Sequence, residues 1–341
     1  MAKYIVVGDL HFGERGDSQK LSGQLIELLD WVCEFKDVDG VIQLGDWFHH
    51  RTKLKLDTLN YGIDGAILLM ERFGKENVHV LIGNHDAHYH DTLEITSLSA
   101  IRPYVNVIDS PTPLNGNCLL VPWITDGQMW DEVVSMSDDF DHCFGHFELN
   151  SFKVNEAYTM EHGYSPKGLK KFKTVLSGHY HSYQKKDNIV YLGTPIPITQ
   201  NESNESHGVF VFDTETGDLE FHEYDKVKVV SIPYTEIESL DGLDPENTSI
   251  RIEFPDDLED ETLISDVQEW LSEHHFTDTK IKYRGSKVKE LLDGVDEDDI
   301  TEVENIDEVV LKYITSATTV NGIDNQRLEK YYRLAIQRSV E

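Results

Sequence analysis

The chain has 341 residues, enough for one large domain with one or two small ones, and a hydrophobic content of 39% suits a protein that builds a real core. Its longest apolar runs are strand-sized, which leaves no candidate transmembrane helix. With 30 basic against 63 acidic side chains, the formal charge of −33 should repel bare nucleic acid at long range. Cys33, Cys118 and Cys143 are odd in number and far apart, which argues against a disulfide scaffold or zinc ribbon. Together with an opening, "MAKYIVVGDLHFG", that lacks a signal-peptide layout, they fit a reducing cytoplasm.

Residues 3–8 ("KYIVVG") read as a buried strand from their β-branched content. Residues 18–36 follow with Leu21, Leu25, Leu28, Leu29 and Val32 at helical spacing. "GVIQLGD" (40–46) predicts a second strand, and 56–73 a helix with Leu59, Ile63, Ile67 and Met70 on one face. "NVHVLIGNHD" is a third strand, and the alternation argues for an α/β sheet covered by helices. Beyond residue 100 the pattern is strand-rich: "VNVID", "CLLVPW", "FDHCFGHF", "TVLSGHYHS", "NIVYLGTP" and "GVFVFDTETGDLEFHEY". The last is a hairpin turning at Thr216, Gly217 and Asp218, and a second sheet packed on the first is expected. Residues 227–283 read strand, strand, helix (around 259–274), strand, as a small α/β domain. An acidic stretch (291–308) leads to two amphipathic helices, one aligning Ile306, Val310 and Tyr313, the other Leu328, Tyr331 and Ala335. Such a pair either caps its own domain or docks on a partner.

The strand ends share one design. Asp9 and His11 follow the first strand; Asp46, His49 and His50 the second; Asn84, His85 and Asp86 the third. His146 ends a later strand, and His179 and His181 another. A Gly precedes the polar residue each time, allowing close backbone approach. Sites in α/β sheets gather at the carboxyl ends of strands, so five strands aim Asp, Asn and His at a common rim. Basic residues cluster beside these ends (Arg51, Lys53, Lys55; Lys167, Lys170, Lys171, Lys173; Lys185, Lys186), which suggests a positive rim on an acidic body. A lone His on a strand is usually structural and a lone "GD" is worth almost nothing. The weight lies in the ordered series GDxH, GD, GNHD, GH, GHxH. Carboxylate and amide oxygens mixed with imidazoles suit Mn²⁺, Fe²⁺ or Zn²⁺ rather than an all-oxygen site for Mg²⁺ or Ca²⁺. Seven candidate ligands exceed the need of one ion. A pair roughly 3.5–4 Å apart, sharing a carboxylate, would use them all, and such a pair is suited to phosphate-ester hydrolysis.

The series resembles the calcineurin-like metallophosphoesterase superfamily. The whole chain is similar to the SbcD-type nuclease subunits of double-strand-break processing complexes, in the form carried by T-even bacteriophages. The resemblance implies a two-sheet sandwich flanked by helices, an αββα metallophosphoesterase core over residues 1–226. It adds an α/β DNA-binding cap at 227–290, an acidic linker at 291–304 and, at 305–341, a helical segment that binds the ATPase partner. It implies two divalent ions, usually Mn²⁺, with Asp9, His11 and His181 holding one, Asn84, His146 and His179 the other, and Asp46 bridging. His85 would stabilise charge on the phosphate or protonate the departing oxygen, Asp86 would orient His85, and His49 would contact phosphate. His50, His88 and His90 read as loop residues. The implied activity is manganese-dependent DNA hydrolysis, 3′–5′ on duplex ends and endonucleolytic on single strands, serving recombination, repair and replication. The implied partners are DNA, an SbcC-type coiled-coil ATPase and a second copy pairing through the early helices. No membrane is implied, and the place of action would be the cytoplasm of a phage host. The competing reading keeps the chemistry but takes small substrates, as a phosphatase or cyclic phosphodiesterase. A non-catalytic scaffold has no reason to keep His85 and seven ligands.

Overall fold

The computed structural model describes residues 2–154, 158–255, 261–276 and 278–283. All of these fall within one compact unit. The linker and the terminal helices expected from the sequence therefore lie outside the described residues.

Two six-stranded sheets make the body of this unit. From edge to edge, one runs Leu219–Glu223, Gly208–Asp213, Lys3–Val7, Gly40–Gln43, Val78–Leu81, Asn106–Ile108. The other runs Gln184–Lys186, Ile189–Tyr191, Thr174–Gly178, His142–His146, Cys118–Val121, Thr112–Leu114. In the first sheet the four strands from Lys3–Val7 to Asn106–Ile108 are parallel and the two hairpin strands antiparallel; in the second the middle four are parallel and both edge strands antiparallel.

The unbroken apolar strands follow from burial on both faces. In Lys3–Val7, Tyr4 and Val6 face a cluster between the sheets with Leu120, Phe144 and Leu176. Ile5 and Val7 face outward onto Leu25, Leu29 and Leu69 of the helices Gln19–Cys33 and Leu56–Phe73. On the far side, Leu119, Val121, Cys143 and Val175 pack under Val133 of the helix Gly127–Met136, which the sequence reading passed over. The order of layers is helix, sheet, sheet, helix, as expected.

Two features depart from the sequence reading. His88 belongs to a short hairpin, Ala87–Tyr89 with Thr92–Thr96, and His90, in its turn, contacts Arg51. Lys167, Lys170, Lys171 and Lys173 precede the strand Thr174–Gly178 and so lie at its amino end, away from His179. Lys171 and Lys173 pair there with Asp138 and Asp141, and Lys55 pairs with Asp17. A continuous positive rim does not form from these lysines.

Residues beyond 226 form a three-stranded parallel sheet, Lys228–Pro233, Thr248–Phe254 and Thr279–Tyr283, with the helix Glu261–Glu273. It has its own apolar cluster of Ile250, Ile252, Phe254, Val267 and Leu271. Among the described residues, no helix is long and apolar enough to cross a membrane.

Candidate metal centre

Parallel strands in the two sheets end at one place, and their turns deliver the polar side chains there. Three of these residues adopt left-handed backbone: His11 (φ 51°), Asp46 (φ 55°) and His179 (φ 94°). Non-glycine residues are held in that region at a cost of about 1–3 kcal/mol each, and such strain gathers at functional sites. The glycines of the motifs make room for ligand atoms. A Cβ on Gly83 would overlap the Asp46 carboxylate, and one on Gly178 would overlap Oδ1 of Asp9.

All ten candidate residues meet in this region. Asp9, His11 and His181 offer ligand atoms within 4.8 Å of one another, as do Asp46, His146 and His179. Nε2 of His11 stands 3.1 Å from Nε2 of His181. Asp46 of the second set also approaches the first, its Oδ2 3.5 Å from His11 Nε2 and 3.3 Å from His146 Nε2. Oδ1 of Asn84 is 2.8 Å from His146 Nε2 and 3.0 Å from His179 Nδ1. Two backbone amides fix the carboxylates: His85 N donates to Asp46 Oδ1 at 2.9 Å, and His179 N donates to Asp9 Oδ2 at 2.8 Å.

The electrostatics of the pocket call for positive charge. Burial pushes the Asp9 carboxyl up to about 7, with Asp46 adding to the rise, and its Oδ1 is buried without a hydrogen-bond partner. Burial opposes charge on Asp46 too, yet the neighbouring His146 and His85 hold it well below the carboxylate range. Burial keeps His11 and His179 neutral, with His11 also set against other imidazoles. An orphaned carboxylate oxygen among facing imidazole nitrogens is a donor set that fits divalent cations.

The family profile for calcineurin-like phosphoesterases matches residues 2–183 of this sequence. The chain is a calcineurin-like phosphoesterase. Phosphoesterases of this kind use divalent metals, and all seven candidate ligands fall within the matched segment. This phosphoesterase is also 28% identical over 343 aligned residues to Exonuclease subunit 1 of Enterobacteria phage T4, covering 96% of this chain and 97% of that protein. A solved structure, the TT1561 protein of Thermus thermophilus, aligns over 65% of this chain and 98% of its own, at TM-score 0.39 and 13% identity. That last likeness is too slight to carry an argument.

Around the ligands, the phosphoesterase departs from the sequence reading at Asp86. Its carboxylate accepts from the backbone N–H groups of Trp47 (3.2 Å), Phe48 (3.0 Å) and Gly83 (3.0 Å). It thereby ties two ligand turns together, while the side chain of His85 is oriented by a carbonyl, Nδ1 lying 2.7 Å from the oxygen of His49. His49 stacks on His85 at 5.3 Å between ring centroids, and its Nδ1 pairs with Glu14 Oε2 at 2.8 Å. Two further carboxylates stand behind candidate ligands: Glu148 Oε2 is 3.8 Å from His179 Nε2, and Glu202 Oε1 is 3.2 Å from His181 Nδ1. Sequence reasoning missed Glu14, Glu148 and Glu202. Only Glu148 has a local cue, standing two residues after His146 in "GHFE".

Proposed function

We propose that this phosphoesterase is a manganese-dependent DNA nuclease subunit that works beside a coiled-coil ATPase and pairs with a second copy. The observation that carries this reading is the likeness to an exonuclease subunit across 96% of the chain, well past the phosphoesterase segment and through the small domain. A small phosphoester needs neither that domain nor the acidic stretch and apolar-patterned residues that follow it in the sequence. The formal charge of −33 is compatible with DNA if the ATPase supplies much of the grip on the duplex.

In this reading Asp9, His11 and His181 hold one ion, Asn84, His146 and His179 the other, and Asp46 bridges them. Bound there, two divalent ions supply a water nucleophile at neutral pH and neutralise charge on the phosphate. The remaining steps belong to side chains. His85 donates Nδ1–H to the carbonyl of His49, which leaves Nε2 to face the phosphate. In its protonated form, His85 gives the proton on Nε2 to the departing sugar oxygen as the P–O bond breaks. His49, stacked on His85 and paired with Glu14, presents a second imidazole to the phosphate oxygens.

The test is Mn²⁺-dependent digestion of end-labelled duplex DNA beside a phosphomonoester control. Release of nucleotides from 3′ ends and cutting of single strands is the expected result. Hydrolysis of the monoester alone would mean a small-molecule phosphatase.

A further inference from the structure

Glu202 is 2% exposed and lies outside the segment shared with the phosphoesterase family, in the short turn Gln200–Glu202. Its carboxylate is fully engaged. Oε2 accepts from Ile198 N at 2.8 Å and Thr194 Oγ1 at 2.9 Å, while Oε1 accepts from Thr199 Oγ1 at 2.8 Å and faces His181 Nδ1 at 3.2 Å. A carboxylate at Nδ1 keeps the proton on that nitrogen and frees Nε2 of His181, the atom that faces His11 across the metal centre.

The segment that carries Glu202 is also where the small domain is fastened. Arg15 lies four residues after His11, in left-handed backbone (φ 54°). Its Nε donates to Ile198 O at 2.7 Å and its Nη2 to Pro197 O at 3.0 Å, while Nη1 reaches Ser249 Oγ at 3.1 Å and Asp278 Oδ2 at 3.4 Å in the small domain. At the other end of the segment, Asn204 N donates to Val229 O at 3.0 Å. The Asn204 amide donates to Ser231 O at 3.0 Å and accepts from Ser231 N at 3.3 Å. Residues 197–204 are thus gripped at both ends by the small domain, one grip passing through the guanidinium of Arg15.

We propose that Glu202 is the positioning residue of His181, and that its own placement is set by the small domain through Arg15 and Asn204. The idea rests on His181 being a metal ligand. If so, a domain that meets the substrate also adjusts one of the two ion sites, because the carboxylate behind His181 shifts with the segment. Glu148 offers the comparison: it backs His179 from the end of the neighbouring strand of the same sheet, only two residues beyond His146.

Calorimetric titration of the full chain with Mn²⁺ tests this. The wild type should take up two ions. Glu202→Gln, and Thr199→Val as a milder variant that leaves Glu202 in place, should weaken one ion and leave the other unchanged, the first by about 10- to 100-fold. The double variant Ser249→Ala/Asp278→Asn, which removes only the small domain's half of the Arg15 contact, should weaken that same ion by a smaller factor at an unchanged thermal midpoint. Wild-type affinity at both sites in Glu202→Gln and Thr199→Val overturns the positioning role. Wild-type affinity in the double variant overturns the link to the small domain. Failure of the wild type to bind Mn²⁺ would instead sink the metal-centre reading on which both depend.

Discussion

Nδ1 of His85 lies 2.7 Å from the carbonyl oxygen of His49, so a backbone group aims the imidazole. A backbone partner sets the tautomer without adding charge, which suits a group that must both meet an anion and give up a proton. Replacing His85 by Ala should lower the hydrolysis rate by about 100-fold or more while both ions stay bound. Loss of an ion in metal analysis would make His85 a ligand instead.

Asp86 should matter to stability more than to proton transfer. In Asp86→Ala three buried backbone N–H groups lose their acceptor, at about 1–3 kcal/mol each. A fall of several kcal/mol in unfolding free energy is expected from urea titration, together with loss of metal uptake as the two ligand turns separate. A variant as stable as the wild type would contradict the bracing role.

The glycine positions make a sharper case. Gly178→Ala would drive a methyl group into the space of Asp9 Oδ1, and Gly83→Ala would do the same at the Asp46 carboxylate. Each chain should remain folded, by circular dichroism, but bind fewer than two ions. Full stoichiometry in both would show that the backbone can yield at these points.

Metal affinity should rise with pH. Burial works against a charged His146, yet Asp46 and Asp9 hold its proton up to about 9. Burial likewise opposes charge on His181, but Glu202 and then Asp9 raise it to about 9. Both imidazoles must be neutral to bind a cation, so below that pH binding expels protons, and the affinity falls as acid is added. Calorimetry in buffers of different ionisation enthalpy should detect this proton release near neutrality. Hydrolysis should decline in parallel as the pH falls below about 9, and a flat profile down to about pH 5 would oppose an imidazole-rich centre.

Removal of residues 305–341, which lie outside the described residues, should abolish association with the proposed ATPase partner and spare metal-dependent hydrolysis. Co-purification of the shortened chain with the ATPase would refute the docking role.

The parts of this protein written in its sequence are those with a local period or a local neighbour. Lys3–Val7, Gly40–Gln43 and Val78–Leu81 could be read because strands buried on both faces are continuously apolar. The helix Leu56–Phe73 could be read as an element but not by its face: Thr58, Gly62, Gly65, Ala66, Leu69 and Phe73 are buried, while Leu59, Ile63, Ile67 and Met70, aligned in the sequence, are only half-buried. The ten candidate residues could be named because each lies at or just after the end of an apolar strand and follows a Gly. The helix Gly127–Met136 was harder to see: only Val133 along it is buried, so its apolar stripe is thin.

Tertiary structure alone decided what stands behind those residues. Glu202 reaches His181 across 21 positions, Arg15 reaches Asp278 across 263, and Asp86 meets Phe48 across 38, separations over which no sequence pattern runs. Strand direction, likewise, put the lysines of 167–173 at the end of the sheet away from the metal centre. A candidate ligand set can be spelled by motifs because every member obeys the same local rule. The contacts that orient it depend on where distant turns come to rest, and only packing of the two sheets and the small domain determines that.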